Sequence, residues 1–310
     1  MNRLVFIGAG AVGGSIAGLV ADTGFPVVLV ARGEHGKAIQ DNGLKLELFD
    51  RMLTSHLTCV STVDAVDWQQ GDVAVVATKL NDAQPVLDQL RIVAGPKLPI
   101  VCATNGLIAE EWASEQFECV VSMMVWLPAT HLRPGEVMLH SDSVRGVLDV
   151  GGMNETSHTC ASDVARLLRE AGFDSIARDN ILEWKRAKWI TNLGGAAQAM
   201  VVDDWMSVLH AAQVEGENVL LKADLPRIPT GELLNRCSSV NLTGVAGFER
   251  KGGSTWQSQQ RGRPLESAFI EGAMADLGES LGVAVPVNRF LANAALNPRE
   301  LTAAEALQST

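Results

Sequence analysis

Residues 8–13 carry the glycine pattern GxGxxG in the order Gly8-Ala9-Gly10-Ala11-Val12-Gly13. The pattern directly follows the apolar run 4–7 and opens a stretch, from about Ala11 to Thr23, whose spacing is typical of a helix. By itself GxGxxG is a weak signal, and a plain strand-to-helix turn is the alternative. Its position between a buried strand and a helix predicts a dinucleotide-binding turn, because helix N–H groups there face a pyrophosphate.

Apolar runs and helical stretches alternate through the first half of the chain, with further runs at 27–30, 73–77, 100–103 and 119–125. Alternation of this kind predicts βαβ units and a parallel sheet of the Rossmann type. Residues 135–152 form partly alternating segments that are separated by glycines. This pattern predicts an antiparallel hairpin added to that sheet.

The second half of the chain lacks strand patterns and shows helical stretches at 181–200, 203–223, 265–281 and 287–297. The predicted fold class is therefore α/β, with an N-terminal Rossmann-type sheet that carries an antiparallel part and an all-α C-terminal domain. We place the boundary at residue 178, giving a nucleotide-binding domain over 1–178 and a helical substrate and catalytic domain over 179–310.

Charge and cysteine content exclude several classes of protein. The chain of 310 residues has 25 basic and 36 acidic residues, a net charge of −11, which disfavours general binding of nucleic acid or anionic membrane. Five cysteines stand far apart with no CxxC pair, which favours free thiols in a reducing compartment, hence the cytoplasm, and no metal site. No apolar run reaches the roughly 18–20 residues that a membrane span needs.

The end of the second predicted strand indicates which dinucleotide binds. An NAD site usually places an acidic residue there, to accept hydrogen bonds from the ribose 2′-hydroxyl. Here the first polar residue is Arg32, whose guanidinium suits a 2′-phosphate, so the sequence favours NADPH/NADP+. The alternative is that Arg32 is a solvated surface residue and Glu34 contacts the ribose.

Several ordered motifs, together far more specific than GxGxxG, resemble those of the ketopantoate reductase (2-dehydropantoate 2-reductase) family. The resemblance covers about residues 3–296. It includes the glycine turn, Val30-Ala31-Arg32-Gly33-Glu34-His35, Thr78-Lys79, Asn105-Gly106, the Lys-x-x-x-Asn of Lys188 and Asn192, Ser254-Thr255-Trp256-Gln257, Gly262-Arg263-Pro264-Leu265-Glu266 and Pro286-Val287-Asn288.

The resemblance implies hydride transfer from NADPH to the ketone of a small 2-oxo acid, with pantoate as the family's product on the route to pantothenate and coenzyme A. Such a reduction needs a proton donor for the developing alkoxide and a group that binds the substrate carboxylate. We predict Lys188 as the proton donor. Asn192, at i+4 on the same helix face, would orient the substrate. A lone helical lysine is more often a solvated side chain, as we expect for Lys185 and Arg186.

The remaining site residues take their roles from the resemblance. Ser254 and Asn105 join Asn192 as substrate-binding residues, and Asn105 also contacts the cofactor. Glu266 lies near the cofactor ribose and the active lysine in the family, although an acid that begins a helix can be only a dipole partner. The predicted cofactor-binding set is Gly8, Ala9, Gly10, Ala11, Val12, Gly13, Arg32, Lys79, Asn105 and Glu266.

The chain departs from the family pattern at two places. Gly195 and Ala196 stand where the family often has a second asparagine, and residues 122–128 are bulky where the family is glycine-rich. Two alternatives therefore stay open: a reductase of another small 2-oxo acid, and a non-catalytic NADP-binding regulatory protein.

The partners expected are the 2-oxo acid and, from the apolar helical half, a second copy in a homodimer.

Overall fold

The computed structural model describes residues 1–245 and 247–308, and its chain divides into two compact units. The first unit contains Met1–Leu182 and Leu234–Arg250, and the second contains Glu183–Leu233 and Lys251–Thr310. The predicted boundary at residue 178 stays a prediction. Residues 234–250, which we placed in the helical domain, pack with the first unit here.

The first unit is built on a seven-stranded sheet in the order β11-β8-β7-β6-β1-β2-β5. Five of its six pairings are parallel, so the predicted Rossmann-type sheet is confirmed. The central strands are apolar and buried on both faces, as parallel sheets covered by helices require. The strands are β1 (Arg3–Ile7), β2 (Val27–Val30), β5 (Thr58–Val60), β6 (Asp72–Val76), β7 (Ile100–Cys102), β8 (Val120–Trp126) and β11 (Val147–Gly152).

An antiparallel addition to the sheet is also present, but it is not the predicted hairpin over 135–152. The edge strand β11 runs antiparallel to β8, whereas residues 136–139 lie in a separate four-stranded sheet of order β4-β3-β10-β9. The strands of this second sheet are β3 (Leu44–Glu47), β4 (Met52–Ser55), β9 (Ala129–Arg133) and β10 (Glu136–Leu139). Strand β10 pairs in parallel with β3, about ninety residues away in the chain, a contact that no local pattern encodes.

Helix α1 (Ala11–Asp22) lies against the second sheet through a face of glycines. A Cβ on Gly14 would stand 2.9 Å from Val137 Cγ2, and one on Gly18 would contact Leu46 and Leu44. The absent side chains therefore let the helix and the second sheet approach closely. The other helices of this unit are α2 (Gly33–Asn42), α3 (Leu80–Val93), α4 (Ile108–Gln116) and α5 (His158–Glu170).

The second unit is helical, as predicted. Its elements are α6 (Ile181–Asn192), α7 (Gly195–Met200), α8 (Trp205–Lys222), α9 (Thr230–Cys237), α10 (Ser254–Gln260), α11 (Glu271–Ser280), α12 (Pro286–Ala294) and α13 (Ala303–Leu307), with α6 starting and α9 ending in residues of the first unit. The predicted helix over 181–200 is broken at Gly194, which takes a φ of +82°. The Glu215 carboxylate accepts from Val287 N and Asn288 N at 2.8 and 2.9 Å, and so joins α8 to the first turn of α12.

A buried ion network ties residues 234–250 to the first unit. Asp149 on β11 is fully buried and binds Arg178 Nε at 2.6 Å and Arg236 Nη2 at 2.7 Å. Arg236 also binds Asp174, with its Nη2 2.8 Å from Asp174 Oδ1. A buried carboxylate is tolerated only when its charge is matched, so this network accounts for the return of the chain to the first unit.

No helix of the described residues is long and apolar enough to cross a membrane.

Replacing Arg236 with Met should destabilise the protein by about 3–5 kcal/mol, because Asp149 keeps its buried charge and loses one of two cations. Urea unfolding followed by circular dichroism measures the change. Arg166→Met is the matched control: its pair with Glu170 is exposed on α5, and its loss should cost less than about 1 kcal/mol. Equal costs for the two variants would contradict the proposed importance of the network.

Candidate active site

The glycine turn between β1 and α1 has the geometry that its sequence predicts. Gly8 takes a φ of +101° and its N–H donates to Val30 O at 2.9 Å, which closes the turn against β2. A Cβ on Gly13 would lie 2.0 Å from Gly8 O and 2.9 Å from Ala77 Cβ. Only glycine at position 13 therefore allows α1 to begin this close to the sheet.

The start of α1 is open toward an anion. Gly10 precedes its first residue and supplies no side-chain cap, the first turn has no acidic residue, and a Cβ on Gly10 would meet no atom within 4 Å. The first N–H groups of the helix thus combine free space with the positive end of the helix dipole. These residues fit a dinucleotide pyrophosphate.

His35 on α2 holds the glycine turn in place. Its Nε2 lies 2.7 Å from Ala9 O, and its Nδ1 accepts from Gly135 N at 2.8 Å. The second bond fixes the tautomer, so Nε2 carries the proton and donates to Ala9. Burial lowers the pKa of His35, which keeps the ring neutral. This role of His35 could not be inferred from local sequence, since Gly135 comes from the distant turn between β9 and β10.

The other predicted residues of the first unit follow neighbouring strands at the same edge of the sheet. In-register pairing of Ile7 with Val30 and Val76 brings the ends of β1, β2 and β6 together, and Val76 pairs with Cys102 of β7. Arg32 and Lys79 directly precede α2 and α3, and Asn105 lies in the bend after β7. This carboxyl edge is where ligands bind in open α/β sheets.

Arg32 has a partner that the sequence does not indicate. Its Nη2 lies 2.6 Å from Asp82 Oδ2 in the first turn of α3, and the two side chains are 75% and 42% exposed. The guanidinium is accessible to a 2′-phosphate, but that phosphate would have to compete with a carboxylate already in contact.

In the second unit, α6 brings Lys188 and Asn192 into direct contact. Lys188 Nζ donates to Asn192 Oδ1 at 2.5 Å, and both side chains are half-buried. The i,i+4 spacing thus places an ammonium and an amide on one face, as predicted. Lys185, expected on the surface, is instead 3% exposed, because its position faces the packed side of α6.

The departures at Gly195 and Ala196 have a packing reason. A Cβ on Gly195 would stand 2.9 Å from Thr255 Oγ1, so α10 fills the space that a side chain there would need. Ala196 is buried, and its N–H donates to Glu271 Oε1 at 3.0 Å. Glu271 on α11 is 1% exposed, and burial raises its pKa to about 7.

Ser254 and Glu266 lie on either side of a short loop of the second unit. Ser254 is the exposed first residue of α10. Glu266 is 7% exposed and sits in a bend five residues before α11 begins at Glu271. Its interpretation as a helix-dipole partner is therefore wrong, since it does not belong to the first turn of a helix.

The bulky segment after residue 122 lies mostly in the core. Met123 and Met124 are at most 1% exposed within β8, so they cannot shape a ligand pocket. Ser122 is level with Cys102 at the end of β7, so β8 continues past the carboxyl edge of the sheet, and its last two residues, Val125 and Trp126, are half-buried. Among the described residues no group of three or more His, Cys, Asp or Glu side chains could hold a metal ion.

Two family descriptions cover almost the whole chain. Residues 4–154 match "Ketopantoate reductase PanE/ApbA", and residues 150–297 match "Ketopantoate reductase PanE/ApbA C terminal". The chain belongs to the ketopantoate reductase family. The predicted family and fold class are confirmed, and so is the assignment to NADP-dependent oxidoreductases that act on CH–OH groups.

Curated relatives span nearly the same length. A 2-dehydropantoate 2-reductase of Archaeoglobus fulgidus is 28% identical over 306 residues, covering 94% of this chain and 96% of the relative. One of Pyrococcus horikoshii is 24% identical over 300 residues, covering 93% and 95%.

Solved structures share the fold of this ketopantoate reductase family member. A PanE/ApbA family ketopantoate reductase from Ralstonia eutropha JMP134 has a TM-score of 0.78 at 23% identity, covering 95% of this chain and 97% of that one. D-mandelate dehydrogenase with NADH and anilino(oxo)acetate has a TM-score of 0.79 at 19% identity, with the same coverage.

The contacts of His35 predict a pH dependence of NADPH binding. A protonated ring cannot accept from Gly135 N–H, and the neutral ring is lost as pH falls from its ordinary 6.5 through the lowered pKa of the folded protein. Between pH 7.5 and 5.5 the wild type should therefore lose about 3- to 10-fold more NADPH affinity than His35→Gln, whose amide can make both bonds at either pH. Fluorescence titration of NADPH measures both proteins.

His131 provides the control, because it is the neighbouring histidine: its ring centroid lies 4.0 Å from that of His35. His131→Gln should keep the steep pH dependence. If His131→Gln removes the dependence and His35→Gln keeps it, the role belongs to His131.

Proposed function

We propose that this protein reduces a small 2-oxo acid to the corresponding 2-hydroxy acid with NADPH, and that 2-dehydropantoate, reduced to pantoate for pantothenate and coenzyme A synthesis, is the substrate. The contact of Lys188 with Asn192 carries the proposal. In this contact Asn192 orients the ammonium of Lys188. Both residues lie on α6 and form the Lys-x-x-x-Asn motif that resembles the family's. The curated relatives of similar length named 2-dehydropantoate 2-reductase support the choice of substrate.

Lys188 is proposed as the proton donor. Reduction adds a hydride to the carbonyl carbon and leaves negative charge on the oxygen, which takes up a proton. An ammonium beside that oxygen stabilises the charge as it develops and then donates the proton. Asn192 accepts one hydrogen of Lys188 through Oδ1, so its amide NH2 is directed to other acceptors, such as a substrate oxygen.

The glycine turn is proposed to hold the cofactor. The open N–H groups at the start of α1 would bind the pyrophosphate, and Arg32 would bind the 2′-phosphate. NADPH, when bound, supplies the hydride. His35 keeps Ala9 and thus the turn in the binding conformation.

The other predicted residues complete the assignment. Lys79 and Asn105, at the carboxyl edge of the sheet, are proposed to contact the nicotinamide side of the cofactor, and Asn105 also the substrate. Ser254 would bind the substrate carboxylate through its hydroxyl. Glu266 is proposed to contact the cofactor ribose and the active lysine; its burial suits a residue that serves a bound partner.

A second candidate is the reduction of a different 2-oxo acid on the same scaffold. The structural similarity to D-mandelate dehydrogenase with anilino(oxo)acetate favours it, as does the half-buried Trp126 at the end of β8. The non-catalytic regulator is not favoured, since the family is one of enzymes. A homodimer and a cytoplasmic location stay predictions.

A substrate panel tests the proposal. NADPH oxidation, followed at 340 nm, is measured with 2-dehydropantoate, pyruvate, 2-oxoisovalerate and phenylglyoxylate. We expect the highest kcat/KM for 2-dehydropantoate; a preference for phenylglyoxylate would favour the second candidate. Absence of turnover with all four would contradict the proposed function.

Lys188→Met should reduce kcat by about 10²–10⁴-fold, the usual contribution of a positioned general acid, while NADPH binding stays within twofold. Stopped-flow NADPH oxidation and fluorescence titration measure the two properties. Lys222→Met, an exposed lysine at the end of α8 in the same unit, is the control and should leave kcat unchanged. Near-normal turnover of Lys188→Met would rule out the role.

Because Arg32 and Asp82 form an ion pair, substitutions of the two residues should change the affinity for NADPH in opposite directions. Arg32→Ala should weaken NADPH binding by about 1.5–3 kcal/mol and leave NADH nearly unchanged, because only NADPH loses a charge-assisted bond. Asp82→Asn should strengthen NADPH binding by about 2- to 5-fold, because the phosphate no longer displaces a carboxylate. Titration of both variants with both cofactors measures this. Equal weakening of NADPH and NADH in Arg32→Ala would disprove the 2′-phosphate role.

A further inference from the structure

The bend between β7 and α4 carries Asn105 and contains a glycine in the left-handed region. Residues 103–107 form this bend, Asn105 is half-buried at its centre, and Gly106 takes a φ of +68°. Glycine has the widest range of backbone conformations, so the bend itself does little to keep the asparagine side chain in one place. The position of Asn105 therefore depends on how firmly the two ends of the bend are held.

The end of β7 is held by the neighbouring strands of the main sheet. Ala103 N donates to Val76 O at 2.9 Å, and on the other side Cys102 pairs in register with Ser122 of β8. Ser122 also pairs with Gly151 of the edge strand β11. The first end of the bend is thus part of the sheet, at its carboxyl edge.

The start of α4 is held by the side chain of the same serine. Ser122 Oγ donates to Glu110 Oε1 at 2.8 Å, and Glu110 lies in the first turn of the helix. Both residues are at most 1% exposed, so water does not compete for this hydrogen bond. Ser122 therefore holds both ends of the bend, because its backbone pairs with the end of β7 and its hydroxyl binds the start of α4.

The burial of the Glu110 carboxylate has no explanation in packing alone. A buried charged group costs free energy unless hydrogen bonds or opposite charges compensate it. Here the Ser122 hydroxyl and the positive end of α4 provide the compensation. Glu111 lies in the same turn but is exposed, so the helix start by itself does not require a buried acid. What the burial of Glu110 adds is the directional link to β8.

We propose that Glu110 and Ser122 are positioning residues that hold Asn105 toward the cofactor and the substrate. The inference rests on the proposed function, in which Asn105 contacts both molecules. Neither Glu110 nor Ser122 needs to touch a bound molecule, since both act through the bend between them. Hydride transfer needs closely aligned reacting groups, so a small displacement of the bend should lower turnover. Cofactor binding should persist, because the glycine turn is not changed.

Two single substitutions remove the same hydrogen bond. Ser122→Ala deletes the donor and Glu110→Leu deletes the acceptor, and each should lower kcat about 10- to 100-fold for the 2-oxo acid that the substrate panel selects. The dissociation constant of NADPH should stay within about threefold, which also shows that the variants are folded. Normal kcat values in both variants would overturn the inference.

Two further variants of the same helix turn serve as comparisons. Glu110→Gln keeps an acceptor oxygen at nearly the same place and should keep kcat within about threefold of the wild type. Glu111→Leu changes the exposed neighbour and should leave kcat unchanged. A loss in Glu110→Gln as large as that in Glu110→Leu would overturn the inference, since the charge and not the hydrogen bond would then be decisive.

A double variant distinguishes an effect through Asn105 from a general loss of structure. Asn105→Ala should itself lower kcat. Adding Ser122→Ala to it should lower kcat by less than about a further twofold, because the hydrogen bond acts through the side chain that is already absent. Losses that multiply in the double variant would show that Ser122 acts by another route and would overturn the inference.

Hydrogen–deuterium exchange gives a readout that needs no turnover. Peptides covering residues 103–110 should exchange at least about threefold faster in Ser122→Ala and Glu110→Leu than in the wild type, whereas peptides of α2 should not change. Unchanged exchange, or faster exchange with normal kcat, would overturn the inference while the proposed function stands. Faster exchange in a protein that turns over no 2-oxo acid would remove the proposed function and keep the link between α4 and β8.

Discussion

The close approach of Gly13 to the carbonyl oxygen of Gly8 is the constraint on which the rest of the first unit depends. With only 2.0 Å between that oxygen and the position of a Cβ, any side chain at residue 13 would push α1 away from β1. The tight junction aims the first N–H groups of the helix at the carboxyl edge of the sheet. It also brings the glycine face of α1 onto the second sheet, through Gly14 and Val137. The absence of a Cβ at Gly13 thus allows both the nucleotide turn and the packing of α1 against the second sheet.

The second sheet does more than cover α1. Its turn between β9 and β10 supplies Gly135, whose N–H sets the tautomer of His35, and His35 in turn holds Ala9 of the glycine turn. Residues that are distant in the chain therefore support the predicted nucleotide turn. Because these contacts are short and directional, small changes in the second sheet should be felt at the nucleotide turn.

Local patterns were sufficient for five strands of the main sheet, since β1, β2, β6, β7 and β8 are continuous apolar runs, and for α1 and α8, whose ends are clear. Strands β3 and β4 were not predicted: β3 alternates apolar and polar residues over only four positions, and β4 shows no regular alternation. The return of residues 234–250 escaped because it depends on Arg236 meeting Asp149, 87 residues away.

In the site, the pairing of Lys188 with Asn192 follows from spacing alone. The partners of Arg32 and His35 come from other elements and could not be inferred from the sequence.

The buried carboxyl group of Glu271 has a consequence for how turnover should be interpreted. It lies against the backbone just past the helix that carries Lys188, and with a pKa of about 7 it changes charge across the range in which dehydrogenases are usually assayed. An inflection near neutrality in a plot of rate against pH can therefore report the charge of Glu271, and it does not by itself identify the proton donor.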